Sequence, residues 1–177
     1  ELFDGNLVVN DENFKLDFKG LADFSSERND FNFIANVDYA DFKSLNFVND
    51  SVSVFKGNVR MDITGNNLDN ISGEVKFQNT IYQNKNDSYR FDDFSISSTF
   101  ERDSLRNVQI ISPDIITGYM KGYFKVEELG KLFQNSLGSI YTNYKPYDIS
   151  DGQEVAFNFR IYNKIVNIFL PEVTFGP

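Results

Sequence analysis

Acidic side chains in the last third of the chain are the first candidates for chemistry. Asp148, Asp151 and Glu154, with Gly152 between them, form an acidic loop whose carboxylate oxygens could hold Ca²⁺. Their spacing does not match the twelve-residue calcium-binding loop, in which the ligands recur at nearly every second position. The spacing therefore favours a solvated turn between a helix and a strand.

Paired carboxylates could also hydrolyse a glycoside, because that reaction needs no histidine. The chain has 26 acidic residues, and their positions in the sequence do not single out any two of them as a catalytic pair. Asp92 and Asp93, like residues 10–12, are predicted to be loop charges. The chain contains no His and no Cys, so imidazole bases, catalytic triads, ordinary zinc sites and disulfides are excluded. We therefore predict a protein that is not an enzyme and uses no cofactor.

The charge balance argues against a nucleic-acid partner. The 177 residues carry 17 basic and 26 acidic side chains, a net charge of −9. Such a chain is repelled by phosphate backbones and, on its exterior, by anionic lipid headgroups. Aromatic residues make up 16% of the chain, including 19 Phe, and this apolar content is too high for a disordered protein.

Period-two alternation of apolar and polar residues predicts half-buried strands along most of the chain. Phe31, Phe33, Ala35, Val37 and Tyr39 show the pattern most fully. The residues predicted to share the apolar face are Phe14, Leu16, Phe18, Phe31, Phe33, Val37, Val59, Met61, Ile63, Val75, Phe77, Phe94, Ile96, Val155, Phe157, Phe159 and Ile161. We therefore predict a mainly β, antiparallel sheet with one wet face.

Evenly spaced glycines and a continuous apolar run near the end of the chain support two further predictions. Gly57, Gly65 and Gly73 are evenly spaced and are expected at turns of repeated strand-turn units. The nearly continuous apolar run at residues 165–170 is expected to form a last strand.

One segment, residues 126–141, has helical rather than strand periodicity. Apolar residues recur there in steps of three and four, which predicts one short amphipathic helix. Glu127 and Glu128 would lie in its first turn, where the helix dipole favours acid, and Lys145-Pro146 would stop it. The residues predicted to form its apolar face are Leu129, Leu132, Phe133, Leu137 and Ile140.

The Phe-rich stripe has two interpretations that alternation does not separate. It could be the closed core of a β-sandwich or β-roll. It could also line an open, curved sheet that holds an apolar molecule, because both arrangements place every second residue inside.

Three segments of the chain carry a more specific signal than the alternation does. The first is GNNLDNISGEVKFQN at residues 65–79, and the second is ISPDIITG at residues 111–118, continued by YMKG. The third is NSLGSIYTNYKPY at residues 135–147. Together, and in this order, the three segments resemble the TamB family, within the wider AsmA-like group, in its Bacteroidetes-type form. The resemblance covers about residues 5–165.

This resemblance implies a segment, residues 1–177, of a long protein that crosses the periplasm of a Gram-negative bacterium. TamB-like proteins are anchored in the inner membrane, and their strands form a U-shaped sheet, the β-taco or repeating β-groove, with an apolar interior. The implied partners are phospholipid acyl chains, carried between the membranes, and an Omp85-type or TamA-like outer-membrane protein. Since the first residue is Glu1 and no signal segment follows it, we expect the chain to be part of a longer precursor.

Two functions are compatible with the resemblance. The first is a non-enzymatic lipid conduit, with acyl chains against the Phe face. The alternative is a translocation and assembly module, whose sheet edges pair with strands of outer-membrane proteins that are being inserted. A membrane-embedded sheet and a carbohydrate-binding β-sandwich are disfavoured, because the chain contains no Trp.

Overall fold

A computed structural model describes residues 1–25, 28–49, 52–85, 87–102 and 104–162. The predicted strand at 165–170 lies outside these residues. Within them, one helix, α1 (Leu129–Gly138), follows a short 3-10 turn (Val126–Glu128). The strands are β1 (Leu2–Asn10), β2 (Phe14–Asp23), β3 (Asp30–Asp41), β4 (Ser53–Thr64), β5 (Ser72–Asn84), β6 (Ser88–Phe91), β7 (Phe94–Glu101), β8 (Leu105–Ile111), β9 (Ile116–Tyr123) and β10 (Glu154–Ile161).

The strands form one antiparallel sheet that is open at both ends. Its order is β1-β2-β3-β4-β5-β7-β8-β9-β10, and β6 pairs with the far end of β5. Sequential strands therefore neighbour one another along most of the sheet, although β7 pairs with β5 and the segment between β9 and β10 contains α1. In the described part of the chain, β1 and β10 end the sheet without pairing with each other. The prediction of a mainly β, open antiparallel sheet is confirmed.

Strand register places every residue of the predicted stripe on one face of the sheet, here called the apolar face. Directly opposed residues share a face, and one such row runs from Phe18 through Ala35, Val59 and Phe77 to Phe94. Each of the other predicted residues lies two residues along the same strand from a residue of this face, or directly opposite one on the paired strand. Phe157 belongs to the face because it lies opposite Met120, which in turn pairs with β8.

A β-bulge moves one residue of the predicted pattern to the opposite face. The β3 register jumps between Val37 and Ala40, so that Tyr39 lies opposite Lys15. The Tyr39 ring lies 5.8 Å from Lys56 Nζ. The prediction that Tyr39 continues the apolar alternation was therefore wrong, because an extra residue reverses the side on which later side chains point.

Two of the three evenly spaced glycines lie inside strands rather than at turns. Gly57 belongs to β4 and Gly73 to β5, whereas Gly65 directly follows β4. At Gly73 the backbone φ is 126°, a conformation that side chains disfavour, and an added Cβ would collide with the Asp62 carbonyl on the paired strand. The repeated strand-turn interpretation was wrong for Gly57 and Gly73.

The apolar face is left half-exposed across most of its area. Among the described residues, the buried apolar side chains are few, and the whole sheet forms a single layer. Phe157 is 52% exposed although it lies on the apolar face. The buried apolar residues are Ala35, Ala40, Phe91, Ile115 and Phe124. The described residues thus form the open arrangement rather than a closed sandwich core.

The opposite, outer face carries charges of both signs. Lys15, Asp17 and Lys19 alternate with apolar-face residues along β2, and Lys121 pairs with Glu101 at 2.8 Å. Lys76 pairs in the same way with a carboxylate on its own strand. The outer face of the strands therefore mixes anions with cations.

The helix is shorter than residues 126–141. It ends at Gly138, because the Tyr144 ring packs on that glycine and turns the chain back well before Lys145-Pro146. Ile140 therefore lies beyond α1 and is exposed, as is Leu137, so the prediction was wrong for this end of the apolar face. The three remaining face residues are half-buried: Leu129, Leu132 and Phe133. No helix in the described part of the chain is long and apolar enough to span a membrane.

Candidate functional site

A cavity of about 610 Å³ lies on the apolar face, at the end where β4 and β9 begin. Residues from six strands contribute to its wall, so the face curves around it. The lining residues are Phe42, Val48, Ser53, Phe55, Phe77, Thr80, Tyr82, Phe91, Phe94, Ile110, Ile115 and Ile116. This volume falls within the range of about 300–1,000 Å³ that is typical of small-molecule sites.

Aromatic contacts build one wall of the cavity from strand to strand. The ring of Phe42 stacks on Phe55 with centroids 5.9 Å apart. Phe55 in turn contacts Phe77 edge to face at 6.4 Å, and Phe77 contacts Phe94 at 5.7 Å. Tilted and edge-to-face geometries are the preferred ones for aromatic pairs, so this row forms a continuous apolar surface.

The loop between β3 and β4 covers part of the cavity with Phe42 and Val48. The Asp41 carboxylate holds this loop, accepting hydrogen bonds from Ser44 Oγ at 2.8 Å and from the Lys43 backbone N–H at 3.1 Å. These bonds, chiefly those from Ser44, hold the pKa of Asp41 below its usual value. The loop closes on itself where the Phe47 N–H donates to the Phe42 carbonyl at 2.8 Å.

Three hydroxyl-bearing side chains, those of Ser53, Thr80 and Tyr82, contribute to the cavity wall. Ser53 Oγ and Tyr82 Oη lie 3.2 Å apart and satisfy each other. Among the described residues, the buried Thr80 hydroxyl has no hydrogen-bond partner. The described lining includes no carboxylate and no cation, so the cavity can bind an apolar molecule by burial.

The other end of the apolar face carries a buried cation. The Arg106 side chain donates from Nε to Ser98 Oγ at 3.0 Å and lies between the rings of Phe100 and Phe124. Burial lowers the pKa of Arg106, and the neighbouring Asp69 carboxylate opposes that change. Asp69 also accepts a hydrogen bond from the Val126 N–H at 2.6 Å, which fixes the start of the helical segment to the β4–β5 turn.

Further aromatic contacts extend the face on both sides of the cavity. Phe18 meets Phe3 at 5.7 Å and Phe33 at 4.7 Å near the β1 edge. On the other side, Phe133 of α1 packs edge to face on Phe157 at 4.9 Å. Helix α1 therefore contacts the edge strand β10, and the apolar surface continues from the sheet onto the helix.

The acidic residues considered for chemistry lie apart from this site. Asp148 and Asp151 are exposed, Gly152 forms the turn, and Glu154 begins β10. Glu128 receives hydrogen bonds from the Ser150 N–H and hydroxyl, and the first of these is the main reason that its pKa is lowered. Glu127 and Glu128 also lie in the first turn of the helical segment, as predicted. Among the described residues, no three acidic side chains are grouped as metal ligands would be.

Sequence reasoning identified the face but missed most of the cavity. Of the predicted stripe, only Phe77 and Phe94 line it. Phe55 could have been found by continuing the β4 alternation backwards through Gly57. Tyr82 could not, because Asn79, with φ of 51°, interrupts the β5 pattern.

In comparisons with known proteins, no family model, curated protein or solved structure matches the chain.

Proposed function

We propose that the chain is a lipid-binding segment of a periplasmic conduit, without enzymatic activity. Its apolar face would hold the acyl chains of phospholipids, while headgroups stay in water at the open side of the sheet. The resemblance to TamB-like proteins supports a place in phospholipid transport between the inner and outer membranes. Under this proposal, the parent protein is anchored in the inner membrane.

The half-exposed apolar face with its 610 Å³ cavity is the observation that carries the proposal. Burying a methylene group from water contributes about 0.8 kcal/mol, so an acyl chain along this surface gains from each carbon it places there. Conversely, a large apolar surface left in water marks a binding site or promotes aggregation. An acyl chain is a suitable occupant because it needs apolar contact along its length and no hydrogen bonds.

Neighbouring isoleucines on β8 provide a matched test. Ile110 lines the cavity, whereas Ile111 lies on the outer face and is 46% exposed. Mass spectrometry of organic extracts from detergent-free protein should find stoichiometric phospholipid in the wild type and in Ile111→Asp. Ile110→Asp should lose it, because a carboxylate in the cavity penalises acyl chains.

Folding must be measured alongside, by circular dichroism and light scattering. A folded Ile110→Asp variant that keeps its lipid would contradict the proposal, as would a stable, monomeric and lipid-free wild type. If Ile110→Asp does not fold, Phe94→Ser provides a milder change in the same wall.

The alternative is an assembly module that pairs with strands of outer-membrane proteins and works with an Omp85-type partner. One observation favours it: β1 pairs only with β2 among the described residues and carries exposed Leu7 and Val8. An unpaired edge of this kind can accept another strand. A photocrosslinker at Asn6 should then capture a substrate strand, and the yield should be unaffected by Ile110→Asp. Crosslinking that depends on the cavity would count against this alternative.

A further inference from the structure

The end of α1 presents apolar side chains to solvent. Leu137, Ile140 and Tyr141 are 67%, 77% and 73% exposed, and steps of three and four place them on one side of the turn. Backbone hydrogen bonds from the Ile140 N–H to the Leu137 carbonyl and from the Tyr141 N–H to the Gly138 carbonyl form a turn directly after α1. These three residues are here called the α1 tip.

A folded scaffold holds the α1 tip outward. Asn135 Oδ1 accepts hydrogen bonds from Tyr144 Oη at 2.9 Å and from the Tyr147 N–H at 2.7 Å. Its Nδ2 donates to the Tyr147 carbonyl at 2.9 Å. The Tyr144 ring packs directly on Gly138, where a Cβ would have no room. These contacts fold residues 144–147 back onto α1. The side chains of the α1 tip therefore point away from this contact and into solvent.

The segment formed by α1 and the residues after it is positively charged, whereas the whole chain is negatively charged. Residues 129–147 contain Lys131 and Lys145 but no Asp or Glu. The segment thus contributes +2 to a net charge of −9, so the remaining residues sum to −11. Exposed aliphatic groups, tyrosines and lysines in one acid-free segment are the composition found at membrane–water interfaces.

We propose that residues 129–147 dock on the surface of a phospholipid bilayer, with the α1 tip inserted among the headgroups. The tip lies at and just beyond the end of the helix that carries Phe133, which contacts Phe157 on the apolar face of the sheet. The docked segment would thereby place a membrane surface close to the apolar face. The inference does not depend on the conduit, because surface docking requires no lipid in the cavity.

Vesicle binding of the 177-residue protein tests the inference. The chain contains no Trp, so Tyr141→Trp is a unique fluorescent reporter at the tip. Val8→Trp, at an outer-face position that is 70% exposed, is the matched control. With vesicles of three parts phosphatidylcholine to one part phosphatidylglycerol, Tyr141→Trp emission should shift to shorter wavelength and Val8→Trp emission should not.

Sedimentation with the same vesicles measures the contribution of each group. The double variant Leu137→Asp/Ile140→Asp should bind at least about tenfold more weakly, since it removes two apolar anchors. Replacing Lys131 or Lys145 by Gln should weaken binding about fivefold per lysine at low salt, and salt should reduce that difference. Both tip positions are exposed, so circular dichroism should remain unchanged.

Three results would overturn the inference. One is the absence of a vesicle-dependent shift at position 141, and another is equal binding of the wild type and the double variant. The third is a dimer in light scattering that the double variant dissociates while vesicle binding is absent, because the tip would then contact a second copy. None of these results bears on lipid extracted from the cavity, so the conduit proposal is tested separately.

Discussion

The guanidinium carbon of Arg106 lies 5.7 Å from the centre of the Phe124 ring, and both residues are buried at the end of the apolar face where α1 is attached. Phe100 lies on the other side of the cation at 5.4 Å. A charged side chain is thus held within an apolar face by aromatic rings and one hydrogen bond to Ser98. This arrangement connects β7 and β8 to the segment that precedes the helix.

Arg106 is predicted to stabilise the fold mainly by filling space. Arg106→Ala should lower the free energy of unfolding by about 2–4 kcal/mol, because it leaves a cavity between two rings. Arg106→Met should lower it by less than about 1.5 kcal/mol, since a buried cation is often replaced by an apolar side chain of similar size at little cost. Urea denaturation followed by circular dichroism measures both values. Equal loss in the two variants would show that charge and hydrogen bonding matter more than volume.

Gly118 is predicted to be required by the backbone of the paired strand β10. A Cβ at position 118 would collide with the Asn158 carbonyl oxygen and would lie 2.7 Å from Phe159 Cα and 2.5 Å from the Phe159 ring. Gly118→Val should therefore lower the free energy of unfolding by about 1–3 kcal/mol through overpacking. Thermal and urea unfolding provide the measurement.

Gly130 in α1 is the control for that substitution. Among the described residues, a Cβ there would meet no atom within 4 Å outside the adjacent residues and the backbone of the helix itself. Gly130→Ala should therefore raise stability by about 0.5–1 kcal/mol through helix propensity. If both variants were destabilised alike, the steric explanation for Gly118 would fail.

Acid should loosen the loop that covers the cavity. Hydrogen bonds from Ser44 and Lys43 lower the folded-state pKa of Asp41, so Asp41 stabilises the loop above its unfolded pKa. That stabilisation is lost as pH falls from about 4 through the lowered folded value. Amide hydrogen exchange at residues 43–48 should therefore accelerate, relative to the strands, in this acid range. Ser44→Ala should move the transition toward higher pH, and an unchanged midpoint would contradict the role of Asp41.

The apolar face was predictable because it depends on a local pattern. In a strand, successive side chains alternate between faces. The local alternation around Phe31 and Phe33 is therefore enough to assign both side chains to the apolar face, without information from distant residues. The same reasoning failed at Tyr39, where one extra residue in β3 reverses the alternation. Bulges depend on pairing with neighbouring strands, and such pairing cannot be read from one strand alone.

The cavity and the α1 tip required the tertiary structure. Phe42 and Ile115 belong to loops, and they reach the cavity only because the curved sheet brings the β3–β4 and β8–β9 connections together. Similarly, the periodicity of residues 126–141 predicts a helix but not its end. The contact between Tyr144 and Gly138 ends it and leaves Ile140 in solvent.

By itself, the sequence of this protein determined strand content, the identity of the apolar face and the absence of histidine and cysteine chemistry. Those properties follow from composition and from periodicity over a few residues. Only the tertiary structure decided that the described sheet remains open, where its cavity lies and which end of the helix is exposed. These features depend on contacts such as that of Phe133 with Phe157, whose residues are far apart in the chain and meet only after the sheet has formed.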